Sequence, residues 1–122
     1  MKKILVVEDE SVIRMVLKIL LKEKGHMVHE ASNGEIALSL VEKNQFDLIL
    51  MDLHMPVMSG YKTIKTLREK KMDMFVVAIT ASMTEEDKNE ALELGFDDCI
   101  LKNFDDNFNN QIDQFLGRAL PG

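Results

Sequence analysis

The stretch DLILMDLHMPVMSG, residues 47–60, decides the fold of this 122-residue chain. It opens with a run from Asp47 to Met51 that is almost wholly apolar, and the carboxylate of Asp52 follows at once. A short apolar run without alternation is typical of a central strand in a parallel sheet that is covered on both faces. The stretch therefore predicts a buried strand that ends in Asp52 and leads through a loop into a helix.

Runs of the same kind recur along the chain and alternate with longer segments of helical periodicity. The five predicted strands are Lys3 to Val7, Met27 to Ala31, Asp47 to Met51, Phe75 to Thr80, and Cys99 to Leu101. The five predicted helices lie near 11–24, 34–43, 60–71, 85–94 and 105–119. This alternation predicts a doubly wound α/β domain with a parallel sheet and helices on both faces.

Several helix ends carry the residues that such ends favour. Gly25 and Gly95 follow predicted helices, where a left-handed residue commonly terminates the helix. Thr84 and Asp87 have the spacing of a capping pair at the start of the fourth helix.

Length and composition predict one domain over residues 1–122, because 46% apolar residues suffice for a single core. Cys99 is the only cysteine, so an internal disulfide is impossible, and we expect a reducing, cytoplasmic setting. No apolar stretch approaches the roughly 20 residues of a membrane-spanning helix, so no membrane partner is expected. The segment Leu120-Pro121-Gly122 is either a natural end or the start of a linker.

The charge balance argues against nucleic acid as a direct partner. The chain has 21 acidic and 15 basic residues and a formal net charge of −6. Nonspecific nucleic-acid binding depends on basic side chains that neutralise phosphates.

Polar residues lie at the carboxyl ends of four of the five predicted strands: Glu8 and Asp9 follow the first, Asp52 the third and Lys102 the fifth, and Thr80 ends the fourth. In open α/β sheets, ligands bind at the carboxyl ends of the strands, near the point where the strand order reverses. We therefore expect three carboxylates, a hydroxyl and an ammonium to converge in one crevice.

Three carboxylates in one crevice repel each other, which raises the pKa of at least one unless a cation binds. A hard divalent cation, Mg²⁺ with Mn²⁺ or Ca²⁺ as substitutes, suits such oxygen ligands. We hypothesise that Asp9 and Asp52 ligate the cation and that Glu8 holds one of its waters. Asp52 would attack phosphorus as a nucleophile, while Lys102 and Thr80 grip phosphoryl oxygens.

These residues stand in motifs that resemble the receiver domains of response regulators, similar in architecture to the single-domain chemotaxis regulator. The motifs are ILVVEDE at 4–10, DLILMDLHMPVMSG at 47–60, VVAITA at 76–81 and GFDDCILK at 95–102. The resemblance implies a flavodoxin-like fold with strand order 2-1-3-4-5. It also implies that Asp52 accepts a phosphoryl group from a histidine kinase or a histidine phosphotransfer protein.

The resemblance assigns further roles around Asp52. The backbone carbonyl of His54 would complete the metal site, and Ala81 would join Thr80 and Lys102 in binding the phosphoryl group and switching. Pro56 and Gly60 fit a rigid turn and a tight helix start. An unknown output protein or domain would bind the face of helix 4, strand 5 and helix 5 and detect the conformational change that follows phosphorylation. The chain would be a monomer or a weak dimer through that face. The chain would promote only its own phosphotransfer and dephosphorylation, so it is not predicted to be an enzyme.

Two positions depart from the family pattern. Asn103 stands where receivers usually have a proline after the lysine, and we predict a trans Lys102–Asn103 peptide because a non-proline cis bond costs about 3 kcal/mol. Cys99 stands where the family generally has a Tyr or Phe that rotates inward on phosphorylation. We therefore expect phosphorylation to cause an altered conformational change on the face of helix 4, strand 5 and helix 5.

Three other functions compete with this one. A flavin-binding domain of the same fold is disfavoured because Glu8, Asp9 and Glu10 would repel a flavin phosphate. An aspartate-nucleophile phosphatase requires a second Asp two residues after Asp52, where His54 stands. A degenerate receiver that acts as an unphosphorylated binding module stays open.

Overall fold

The computed structural model describes residues 1–118, in which five strands and five helices alternate. The strands are β1 Lys3–Val7, β2 Met27–Ala31, β3 Leu48–Asp52, β4 Val76–Thr80 and β5 Asp98–Leu101. The helices are α1 Ser11–Glu23, α2 Gly34–Lys43, α3 Gly60–Glu69, α4 Glu85–Leu94 and α5 Asp106–Arg118. Residue 119 of the predicted last helix and the segment Leu120-Pro121-Gly122 lie outside the described residues.

The strands form one parallel sheet in the order β2-β1-β3-β4-β5. This confirms the flavodoxin-like, doubly wound fold. The chain leaves β1 toward β2 on one side and returns to β3 on the other, so the strand order reverses between β1 and β3. The crevice at the carboxyl ends of these two strands is the place where this fold binds ligands.

Two hydrophobic clusters cover the two faces of the sheet, because alternate side chains of each strand point to opposite faces. In β1, Ile4 and Val6 pack with α1 and α5, whereas Leu5 and Val7 pack on the face that α2, α3 and α4 cover. One face of α5 is buried in the cluster that contains Ile4 and Val6, through the side chains of Phe108, Ile112, Phe115 and Leu116. Burial on both faces explains why the central strands are apolar without alternation.

The predicted helix ends are largely confirmed. Gly25 and Gly95 adopt positive φ values of 90° and 120°, and Thr84 and Asp87 form a reciprocal capping box. The predicted helix over 60–71 ends earlier, at Glu69, because Lys71 takes a left-handed φ of 59° that a helix cannot continue through. None of the helices described within residues 1–118 has the length and apolarity to cross a membrane.

Candidate functional site

The carboxyl ends of β1 and β3 bring three carboxylates together. Glu8 and Asp9 follow β1, and Asp52 is the last residue of β3. One carboxylate oxygen from each lies within 4.8 Å of the others. Glu8 is fully buried and Asp52 is 5% exposed, while Asp9 is half-buried. The structure thus places the three predicted acidic residues in one site.

Lys102, which follows β5, reaches into this acidic cluster. Its Nζ lies 2.5 Å from Glu8 Oε1 and 3.1 Å from Asp52 Oδ2. The Lys102 side chain is only 7% exposed, so its charge is compensated chiefly by these two carboxylates. The predicted ammonium therefore belongs to the site.

The pKa of Glu8 is raised to about 8, chiefly by burial and in addition by the neighbouring carboxylate of Asp52, whereas Lys102 opposes the shift. For Lys102, burial alone would lower the pKa, but its hydrogen bonds to Glu8 and Asp52 outweigh burial and raise it. Burial is thus the larger cause of the shift of Glu8, and its crowding against the Asp52 carboxylate is the smaller one. The expectation that at least one carboxyl pKa is raised is confirmed.

The donor set fits a hard divalent cation. All the converging ligand atoms of Glu8, Asp9 and Asp52 are oxygens, which Mg²⁺ and Ca²⁺ prefer. Glu8 Oε2 is buried and has no hydrogen-bond partner among residues 1–118. A buried acceptor without a partner is costly, and a cation or one of its waters would satisfy it. These residues could therefore hold a metal.

The ends of β3 and β4 form the walls of the crevice. The backbone N–H of His54 donates to Asp52 Oδ1 at 3.3 Å, and the His54 ring packs edge-on against Tyr61. Thr80 is 2% exposed, and its hydroxyl donates to the carbonyl of Ser82 at 2.9 Å. The crevice is lined by Glu10, Asp52, His54, Thr80, Ala81, Ser82, Asp87 and Lys102.

The two departures from the family pattern lie on either side of Lys102. Cys99 is 2% exposed on β5, and burial raises the pKa of its thiol to about 11. The Lys102–Asn103 peptide is trans, as predicted. The Asn103 amide donates to Asp105 Oδ2, and Phe104 between them has a positive φ of 54°.

Sequence reasoning missed Arg14, whose guanidinium donates to the backbone carbonyl of Glu8 at 2.7 Å. It also missed Ser82 as the partner of the Thr80 hydroxyl and the position of Asp87 at the crevice. Arg14 lies in the first turn of the helix that begins directly after the acidic residues, but this proximity in sequence does not identify the Glu8 carbonyl as its partner.

A doubly wound fold with an acidic cluster and a lysine at its switch point defines a receiver-type domain. The response regulator receiver domain family matches residues 4–111, and the chain belongs to this family. It is thus a receiver domain of two-component signalling, a class that works with histidine kinases and output domains.

Known relatives agree with this assignment. The transcriptional regulatory protein SrrA of Staphylococcus aureus is 40% identical over 102 residues, which are 84% of this chain and 42% of SrrA. The chain therefore spans less than half the length of this relative. The receiver domain of the Francisella response regulator 1452 shares the fold with a TM-score of 0.90 and 30% sequence identity, and the match covers 98% of this chain and 100% of that one. The response regulator TrrA from Thermotoga maritima, in complex with Mg²⁺-BeF, matches with a TM-score of 0.83 and 33% identity, over 94% of this chain and 99% of TrrA.

Proposed function

We propose that the chain accepts a phosphoryl group on Asp52 from a phosphohistidine of a histidine kinase or a phosphotransfer protein, in a Mg²⁺-dependent reaction. The observation that carries the proposal is the position of Asp52 between two acidic residues and Lys102, with Lys102 Nζ 3.1 Å from Asp52 Oδ2. A carboxylate held between a cation site and an ammonium can approach a phosphoryl group that carries negative charge.

In the proposed transfer, an oxygen of Asp52 forms a bond to phosphorus while the bond from phosphorus to the donor imidazole nitrogen breaks. The other ring nitrogen of the donor phosphohistidine carries a proton, so the imidazole takes the bonding electron pair and leaves as a neutral histidine, and the product on this chain is an acyl phosphate on Asp52. Lys102 binds a phosphoryl oxygen and compensates its charge. The Thr80 hydroxyl, which donates to Ser82 at present, would turn toward another phosphoryl oxygen, and Ala81 follows it at the start of the loop.

The metal proposal names Asp9 and Asp52 as direct ligands, Glu8 as the residue that holds a metal-bound water, and the backbone carbonyl of His54 as a further ligand. When bound, Mg²⁺ neutralises charge on the transferring phosphoryl group; Mn²⁺ or Ca²⁺ could substitute. The complex of TrrA with Mg²⁺-BeF supports this proposal, as does the unpartnered Oε2 of Glu8.

The outgoing signal differs from that of receivers with an aromatic residue at the position of Cys99. A movement of Thr80 would shift the loop between β4 and α4, but a buried thiol at Cys99 provides no ring that could rotate. We propose that an unknown output partner reads an attenuated change on the face of α4, β5 and α5. Chemical-shift changes after phosphorylation that are as large on this face as in the active-site loops would argue against attenuation.

Phosphate acceptance is tested by incubation with Mg²⁺ and a small acyl phosphate donor, followed by intact-mass measurement of the wild type and Asp52→Asn. The wild type should gain one phosphoryl group, and Asp52→Asn should gain none. Omission of Mg²⁺, with a chelator present, should abolish the gain. If the wild type gains no phosphate on Asp52, the chain is a degenerate receiver that binds partners without phosphorylation.

A further inference from the structure

The peptide of Glu8 lies just past the end of the β1–β2 ladder. The last paired residues of that ladder are Val7 and Ala31, and the Glu8 N–H still donates to the Ala31 carbonyl at 3.0 Å. Because β2 ends at Ala31, the ladder provides no donor for the Glu8 carbonyl. Glu8 is fully buried, so its backbone carbonyl needs a hydrogen-bond donor from outside the ladder.

Arg14 provides that donor from the first turn of α1. Its Nη1 donates to the Glu8 carbonyl at 2.7 Å, and its Nε lies 3.3 Å from Glu30 Oε1 on β2. Lys18 Nζ holds the other Glu30 oxygen at 3.0 Å. The Arg14 side chain is 20% exposed, so it is packed against the protein. The backbone of Glu8 is thus fixed at both of its peptide groups: its N–H donates to β2, and its C=O accepts from an arginine that is anchored on β2.

We propose that Arg14 is a positioning residue of the acidic site, which fixes the Glu8 peptide and thereby directs the Glu8 and Asp9 carboxylates toward a divalent cation. This inference rests on the proposed metal site. Mg²⁺ demands near-ideal octahedral geometry, so a ligand segment that can rotate binds it less well. Residues that orient metal ligands typically contribute about 10-fold to 100-fold in metal affinity.

Whether the loss of Arg14 raises or lowers the affinity for Mg²⁺ distinguishes a positioning role from an effect of its charge. Arg14 is a cation near a cation site, so through charge alone its removal would strengthen Mg²⁺ binding. Through positioning, its removal weakens binding. Lys18 provides a matched control because it has the same charge, lies one helical turn further along α1 and binds the same Glu30.

The test is calorimetric titration of the full chain with Mg²⁺ for the wild type, Arg14→Gln, Lys18→Gln and Glu30→Gln. We expect Arg14→Gln to weaken the affinity about tenfold, and Glu30→Gln to weaken it less, because Arg14 then loses its anchor but keeps the Glu8 carbonyl. Lys18→Gln should bind as well as the wild type or slightly more tightly. An affinity of Arg14→Gln equal to or above that of Lys18→Gln overturns the inference.

A second readout needs no metal. Amide hydrogen exchange of residues 8–10 in metal-free protein should be faster in Arg14→Gln than in Lys18→Gln, and unchanged exchange there also overturns the inference. If the wild type binds no Mg²⁺, the proposed function fails instead, and the exchange measurement still decides whether Arg14 fixes this segment. If Arg14→Gln does not fold, Glu30→Gln carries both measurements.

Discussion

Lys102 Nζ lies 2.5 Å from Glu8 Oε1, although the two residues are 94 positions apart in the sequence. The same ammonium also contacts Asp52. The carboxylates that a divalent cation would bind are therefore already paired with a cation of the chain itself. Lys102 and the metal interact with the same acidic residues, and each positive charge lowers the affinity of the site for the other.

We expect Lys102→Met to bind Mg²⁺ about tenfold or more tightly than the wild type while it accepts phosphate poorly. Two unit charges about 4 Å apart interact by about 4 kcal/mol at an effective dielectric constant of 20, so loss of the ammonium favours the metal. The phosphoryl group, however, loses a charge partner. Calorimetry and intact mass measure the two effects. Lys24→Met is the control, because Lys24 pairs with Asp113 instead; weaker Mg²⁺ binding by Lys102→Met contradicts the prediction.

Gly60 holds the start of α3 against the phosphate-accepting strand. A Cβ at Gly60 would lie 2.2 Å from the Asp52 carbonyl oxygen and 2.9 Å from Leu53 Cα. We expect Gly60→Ala to lower the free energy of unfolding by about 1–3 kcal/mol, as overpacking does, and to slow phosphorylation because the Asp52 backbone must shift. Urea denaturation and intact mass check this.

Gly117→Ala is the control for Gly60→Ala. A Cβ at Gly117, in the exposed part of α5, would meet no other heavy atom of the described residues within 4 Å. This change should raise the free energy of unfolding by about 0.5–1 kcal/mol, the difference between Gly and Ala in a helix. Equal effects of the two substitutions would show that the contact with Asp52 does not matter.

Much of the fold was predictable because the chain repeats one pattern: an apolar run that ends in a polar residue. That pattern placed Glu8, Asp52 and Lys102 at strand ends, and a parallel sheet brings such ends to one edge. The contact from Arg14 to Glu8 was not predictable, because periodicity does not tell which side chain satisfies a carbonyl beyond the end of a ladder. The left-handed conformation of Lys71 was also missed, since no glycine marks that helix end.

Val57 was another surprise, because a β-branched residue rarely adopts a positive φ. Its φ is 70°, and the Met58 N–H donates to the Pro56 carbonyl at 2.8 Å, which closes a strained γ-turn. Val57 is 71% exposed, so its substitution sacrifices little packing. We expect Val57→Gly to raise the free energy of unfolding by about 0.5–1 kcal/mol, because relief of about 1–2 kcal/mol of strain exceeds the entropic cost of glycine.

The matched variant at this position is Val57→Ala, which keeps the Cβ that causes the strain. Urea denaturation should show little stabilisation for Val57→Ala and a clear gain for Val57→Gly. If the two variants are equally stable, the positive φ does not strain the native state.

His26 should make stability depend on pH. Its Nδ1 accepts a hydrogen bond from the Lys2 backbone N–H at 3.0 Å, and protonation would remove this acceptor. Burial lowers the pKa of His26 below the ordinary 6.5, and the positive charges of the N-terminus, Lys24 and Lys2 add to the shift, while Asp113 opposes it. Below pH 6.5 the unfolded chain therefore binds a proton at this position more readily than the folded one, and acidification favours unfolding.

We accordingly expect the stabilisation from His26 to be fully present above pH 6.5 and to decline as the pH falls through 6.5 toward the lowered pKa of the folded state. Carboxylates titrate in acid as well, so the informative quantity is the difference in unfolding free energy between the wild type and His26→Gln. Gln does not titrate and can offer an oxygen to the Lys2 N–H. Urea denaturation at pH 7.5 and 5.5 should show that the wild type loses stability relative to His26→Gln at the lower pH. A difference that is constant with pH would mean that the folded and unfolded states bind the proton of His26 equally.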